Sequence, residues 1–208
     1  MPSRNVIKPS VKEAHFHLYN RGVAKQDIFL DRQDYIYFLN SIAKILTPDL
    51  TDINSLFSQI AILSFILMPN HFHILFQQKD MYLMTKFMKK LATGYAMYFN
   101  QKYKRVGPVF QGVYKASFID SDEYLIHLSR YIDTNCLDLK EWDIDNLKDY
   151  EFSSYSSYVG EKRYDWLQTE QILRMFSEDV VRAKELYREF VEDYIKEDLS
   201  LDKYVFDE

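Results

Sequence analysis

The run from Ser64 to Phe76 is largely apolar and β-prone, yet Pro69 interrupts it and two histidines, His71 and His73, follow the break. Alternate side chains of a strand share a face, so both imidazoles point one way and Phe72 the other. Proline cannot donate to a central ladder, which predicts a bend or bulge just before the histidines. The His71–Phe76 stretch then reads as a third strand, or as a continuation of the second across the break. Two imidazoles on a stiff strand make half of a metal site. A core-type strand seldom carries two titratable groups without a use for them.

The rest of the chain gives that strand its neighbours. Ala14–Tyr19 reads as a first strand, closed by the turn Asn20-Arg-Gly22, and Asp31–Leu46 carries apolar residues at helical spacing. An irregular stretch over 47–58 leads to a second strand near Ile60–Phe65. Tyr82–Tyr103 is a long helix ended by Gly107-Pro108, and Val109–Phe118 reads as another strand. Asp120 as cap with Glu123 three residues on predicts a helix to about Asn135. The order β-α-β-β-α-β plus a further helix predicts an α+β fold: an antiparallel sheet with helices on one face. The tail from Trp166 predicts a C-terminal helical extension, with Val180, Ala183, Tyr187, Phe190 and Tyr194 recurring at helical spacing. Three segments follow: residues 1–136 as the main domain, 137–165 as a loop-rich connection, and 166–208 as an acidic helical extension.

Composition narrows the function classes. The 208 residues are 47% hydrophobic and 16% aromatic, ample for a packed core. A single cysteine, Cys136, excludes an intrachain disulfide and a Cys-based zinc cluster. The N-terminus lacks the apolar stretch of a signal peptide, and no run approaches the ~20 apolar residues of a membrane span. A cytoplasmic protein is expected, with no membrane partner. The net charge of −5 conceals a division: residues 1–119 hold 15 Lys+Arg against 7 Asp+Glu, and residues 120–208 hold 11 against 24. Between Asp80 and Asp120 there is no acidic residue, while Lys86, Lys89, Lys90, Arg105 and Lys115 are interleaved with tyrosines and phenylalanines. Such a window can neutralise phosphates and stack on unpaired bases, or be the solvated face of a basic helix.

Spacing alone does not choose a metal site. His15-Phe16-His17 in the first strand is as good a pair as His71 and His73. Tyr131 and Asn135, four apart on one helix, share a face, with Cβ atoms about 5–6 Å apart. Asn135 can offer a carbonyl oxygen to a metal and Tyr131 a phenolic oxygen to an electrophile. A tyrosine of ordinary pKa is a poor nucleophile unless a cation polarises its target, and from spacing alone the plain helix aromatic is the favoured reading of Tyr131.

Four motifs taken together go further: Tyr19-Asn-Arg-Gly22, Met68-Pro-Asn-His-Phe-His-Ile-Leu75, Gly107-Pro-Val-Phe-Gln-Gly-Val-Tyr-Lys115 and Arg130-Tyr-Ile-Asp-Thr-Asn135. In this order they resemble the signatures of the single-tyrosine HUH transposases, and most closely the REP-associated tyrosine transposases, over about residues 12–160. The resemblance implies a ferredoxin-like or RRM-like fold. It assigns a divalent metal, Mg²⁺ or Mn²⁺, to His71, His73 and Asn135, demotes His15 and His17, and makes Tyr131 the nucleophile. The implied reaction is cleavage and rejoining of single-stranded or hairpin DNA through a 5′-phosphotyrosine. Lys86, Lys89 and Lys90 are the leading DNA-binding candidates, ahead of Arg105 and Lys115. Two departures stand out: Cys136 follows Asn135 where relatives often have proline, and Val113 replaces a common arginine. A hairpin-DNA-binding protein with vestigial chemistry, a replication initiator or relaxase, and a His-x-His hydrolase are the competing expectations. Monomer and homodimer are both open.

Overall fold

Every second residue of the strands feeds one of two cores, and that alternation sets the architecture. The computed structural model describes residues 11–48, 56–162 and 164–198. Most of the irregular 47–58 stretch and the last ten residues of the acidic tail lie outside the described residues. The strands are β1 (Ala14–Arg21), β2 (Ile60–Met68), β3 (His71–Gln78) and β4 (Lys115–Ile119). The helices are α1 (Arg32–Leu46), α2 (Leu83–Lys102), α3 (Asp122–Thr134), α4 (Tyr155–Tyr158), α5 (Glu170–Leu173) and α6 (Val180–Asp198). The sheet order is β2-β3-β1-β4, with every neighbouring pair antiparallel. That is the expected α+β, ferredoxin-like sheet.

Phe16 and Leu18 of β1 and Phe72, Ile74 and Phe76 of β3 face a core completed by α1 and α2. These two crossover helices share one face of the sheet, as expected. Leu75 of β3, Ile66 and Met68 of β2 and Ile119 of β4 face a second core with α3 and the C-terminal helices. A register shift between Ile62 and Ser64 turns Ser64 toward α3, where its hydroxyl meets the Asp133 carboxylate at 3.3 Å. The loop-rich connection and the C-terminal extension also seal the outer edge of β2, through Leu67 N–H to Phe152 O and Gln168 N–H to Ile62 O, both 2.9 Å. An uncovered edge would template pairing with another chain.

One open alternative is decided and two local expectations are corrected. Met68 pairs with His71, so the bend at Pro69-Asn70 is a two-residue hairpin turn and β3 is the separate third strand. The strand expected over Val109–Phe118 begins only at Lys115, because the chain first passes through Gly112 at φ +78°. The cap of α3 is Ser121, whose hydroxyl accepts from Tyr124 N–H at 3.2 Å, not Asp120. On α6, Ala183, Tyr187 and Val191 are buried, while Val180 is exposed. Among the described residues no helix is long and apolar enough to cross a membrane.

Candidate active site

The hairpin turn before β3 is pinned from several sides, which fixes the direction of His71. Gly22 N–H donates to Asn70 O at 2.7 Å, and Ile28 and Phe29 N–H both donate to Pro69 O. Glycine is required at position 22 by close approach: a Cβ there would lie 2.0 Å from Gln26 O. The Asn70 amide donates to Lys25 O at 3.4 Å, so its Oδ1 faces the His71 ring, 2.6 Å from Nδ1. An amide oxygen only accepts, so Nδ1 carries a proton and donates to it. The ring's other nitrogen, Nε2, lies 3.1 Å from Asn135 Oδ1.

Two residues on, His73 lies on the same face, its ring 5.0 Å from that of His71 between centroids. Its Nδ1 is 2.7 Å from His17 Nε2. Its Nε2 is buried and has no hydrogen-bond partner. An orphaned buried ring nitrogen is uncommon and calls for an explanation. Burial holds His73 well below the ordinary histidine pKa, with further lowering from His17 and His71, and burial pushes His17 down to about 3. Both rings are therefore neutral near pH 7, as metal ligands and their supports must be.

Helix α3 lays Tyr131 across this cluster. Its ring meets the His73 ring edge-on at 5.7 Å and the His17 ring at 6.4 Å. The helix ends at Thr134, and Asn135 is its C-cap with αR backbone, so the turn continues far enough to align Asn135 with Tyr131 despite the missing proline. The back of α3 is anchored at several points. Leu125, Leu128 and Ile132 enter the second core. Asp133 accepts hydrogen bonds from Ser64, Ser154 and Tyr187. The Arg130 guanidinium lies 4.1 Å from each of the Phe190 and Tyr194 rings of α6.

The structure thus brings His71, His73, Tyr131 and Asn135 together within one chain. His15 is elsewhere, bonded to Gln171 at 2.8 Å, but His17 joins the cluster. Sequence reasoning set His17 aside and missed Asn70; the polar Asn70 beside His71 in a turn was the one available signal. Of the five basic candidates, Lys115 is the one at the site, its ammonium 5.5 Å from the Tyr19 ring that stacks on His17 and His73. Lys86, Lys89 and Lys90 lie on the exposed surface of α2, across the sheet. Arg105, past the end of α2, reaches Gln26 and the Phe99 ring. Among the described residues, no group of three or more His, Cys, Asp or Glu side chains is arranged to hold a metal. The groups that converge beside Tyr131 are imidazoles and the Asn135 amide oxygen.

No curated protein matches the chain. A solved structure described as a REP-associated tyrosine transposase bound to a REP hairpin superposes with a TM-score of 0.57 at 12% identity. It covers 80% of this chain and 98% of that one, a likeness that shows the shared fold. A candidate transposase from Deinococcus radiodurans R1 aligns at TM-score 0.38 and 15% identity, over 64% of this chain and 97% of that one, and carries no weight. The IS200-like transposase family matches over residues 32–135, from the start of α1 to Asn135. With half of its length in that match, the chain belongs to the IS200-like transposase family.

Proposed function

We propose that this transposase cuts and rejoins single-stranded DNA with Tyr131 as nucleophile and with His71, His73 and Asn135 as ligands of a divalent ion, Mg²⁺ or Mn²⁺. The observation that carries the reading is convergence on one face. His73 Nε2, buried without a hydrogen-bond partner, His71 Nε2 and Asn135 Oδ1 come together beside the Tyr131 ring. The last two atoms lie 3.1 Å apart, close enough to be ligands of one cation. Such an ion supplies charge neutralisation on a phosphate oxygen.

Tyr131 Oη attacks the phosphorus as its proton leaves to solvent. The new O–P bond forms as the P–O3′ bond breaks and the leaving 3′ oxygen takes a proton from solvent, giving a 5′-phosphotyrosine and a free 3′-OH. Attack by a different 3′-OH on that ester rejoins strands and returns the tyrosine. Bond energy is kept in the ester, so no nucleotide is consumed. The rigid seating of α3 holds Oη for attack, a positional contribution that a mobile tyrosine would lack. Lys115 adds a positive charge where the strand would enter, and hairpin DNA is the preferred substrate form. Residues 1–136 form the catalytic unit in this reading, followed by the 137–165 connection and the 166–208 extension.

The test is incubation of the full chain with Mn²⁺ and a single-stranded hairpin oligonucleotide, followed by denaturing electrophoresis. A covalent protein–DNA adduct is expected for the wild type and none for Tyr131→Phe. Tight hairpin binding without an adduct would replace this reading with that of a binding protein whose chemistry is vestigial.

A further inference from the structure

We infer that His17 is a positioning residue for the proposed metal site, holding His73 in the tautomer that leaves Nε2 as a ligand. The inference rests on the metal reading above. His17 lies on β1, outside the residues that match the family, and within that reading it has no role of its own.

The geometry is specific. His17 Nε2 and His73 Nδ1 are 2.7 Å apart, so one of them carries the shared proton. Were it on His17, His73 would have to protonate Nε2, placing an N–H donor in a buried position with nothing to accept it. The other arrangement puts the proton on His73 Nδ1, donated to His17 Nε2, and turns the Nε2 lone pair into the site. The same logic holds at His71, whose Nδ1 donates to Asn70 Oδ1. Each imidazole of the pair thus has its far nitrogen fixed by an acceptor, and its near nitrogen turned toward the site. Such partners orient ligand rings and raise their basicity, and removing one lowers metal affinity about 10–100-fold. His17 itself is held by a stack on Tyr19, with ring centroids 4.8 Å apart. The β1–β3 register, with Tyr19 opposite His73, places His17 diagonally across from its target.

The experiment measures Mn²⁺ binding by the full-length protein directly, from the free-ion electron paramagnetic resonance signal, and separately the Mn²⁺ dependence of adduct formation. His17→Phe keeps an aromatic stack but removes the acceptor; His17→Gln keeps an acceptor at similar reach. The expected result is Mn²⁺ affinity lowered by about 10-fold or more in His17→Phe and largely restored in His17→Gln. Adduct yield in His17→Phe should recover at high Mn²⁺, because Tyr131 is untouched. Thermal melts identify any variant whose loss is one of folding. Wild-type affinity in a folded His17→Phe, or an equal loss in both variants, would overturn the inference while leaving the metal reading intact. Failure of the wild type to bind Mn²⁺, or binding indifferent to His71→Ala and His73→Ala, would sink the metal reading and this inference with it.

Discussion

Phe72 and His73 are neighbours on one strand, and the two faces they look into have opposite characters. The face of Phe72 is a dry aromatic and aliphatic core under α1 and α2. The face of His73 has an apolar half under α3 and a polar half holding three imidazoles, a tyrosine and an amide. Each face also buries one aspartate, and the two are handled differently. Asp34 meets the Lys102 ammonium at 2.8 Å, the Tyr103 hydroxyl at 2.7 Å and Leu30 N–H at 2.8 Å. Among the described residues, Asp133 meets hydroxyls, from Ser64, Ser154 and Tyr187, and no cation. One face is built to be stable, while the other leaves the buried His73 Nε2 without a hydrogen-bond partner.

The sharpest way to break this contrast is to truncate the two neighbours on β3. Phe72→Ala opens a cavity in the first core and should cost about 3–5 kcal/mol of stability, read by denaturant unfolding. Adduct formed per folded molecule should stay near wild type. His73→Ala should do the reverse, lowering adduct formation on the order of 100-fold or more with a much smaller stability loss. Equal activity losses would show that the two faces are not functionally separate.

The aspartates give the next largest effects. Lys102→Met leaves a buried carboxylate without its cation and should destabilise by about 3 kcal/mol near neutral pH. The pH dependences should run in opposite directions. For Asp34, burial alone would raise the pKa, but Lys102, Tyr103, Leu30 N–H and Tyr98 bring it below the ordinary carboxyl value. Its stabilisation is present above about pH 4 and lost as pH falls further. For Asp133, burial pushes the carboxyl up to about 7, against the hydrogen bonds from Ser154, Tyr187 and Ser64. The folded state then holds a proton that the unfolded state has lost, so stability falls as pH rises from about 4 to 7. The span corresponds to about 4 kcal/mol. Asp133→Asn should flatten that decline, matching the wild type near pH 4 and exceeding it at pH 8. A wild-type curve that rises over this window would mean that Asp133 is ionised and compensated in the fold.

Much of this was legible in the residues, and the misses share a cause. His71 and His73 on one face follow from strand alternation alone. The element order gave the antiparallel sheet, and helical spacing put Tyr131 and Asn135 on one face. What escaped depends on which strands become neighbours. Nothing local says that β1 lies beside β3 with Tyr19 opposite His73, the register that brings His17 within hydrogen-bonding reach. The late start of β4 is also long-range: Gln111 N–H donates to Arg21 O at 2.8 Å, and the Asn20 amide to Gly112 O at 3.3 Å. The first belongs to an isolated antiparallel bridge between Gly22 and Phe110, and the turn through Gly112 separates that bridge from the ladder that starts at Lys115. The placement of Lys86, Lys89 and Lys90 across the sheet from Tyr131 was hidden for the same reason.

That placement gives the smallest and most discriminating prediction. If single-stranded DNA is gripped only on the His73 face, replacing Lys115 should weaken hairpin binding and reduce the slope of log K against log salt by about 0.7, one phosphate contact. Replacing Lys86 and Lys89 on α2 should then leave that slope unchanged, since the sheet separates them from the site. If a hairpin substrate instead wraps round the end of the sheet, the α2 lysines should each reduce the slope by a similar amount, while adduct formation at saturating DNA stays constant. Binding titrations at four or five salt concentrations separate the cases. A slope change confined to the α2 variants would place DNA on the stable face and confine the polar face to chemistry.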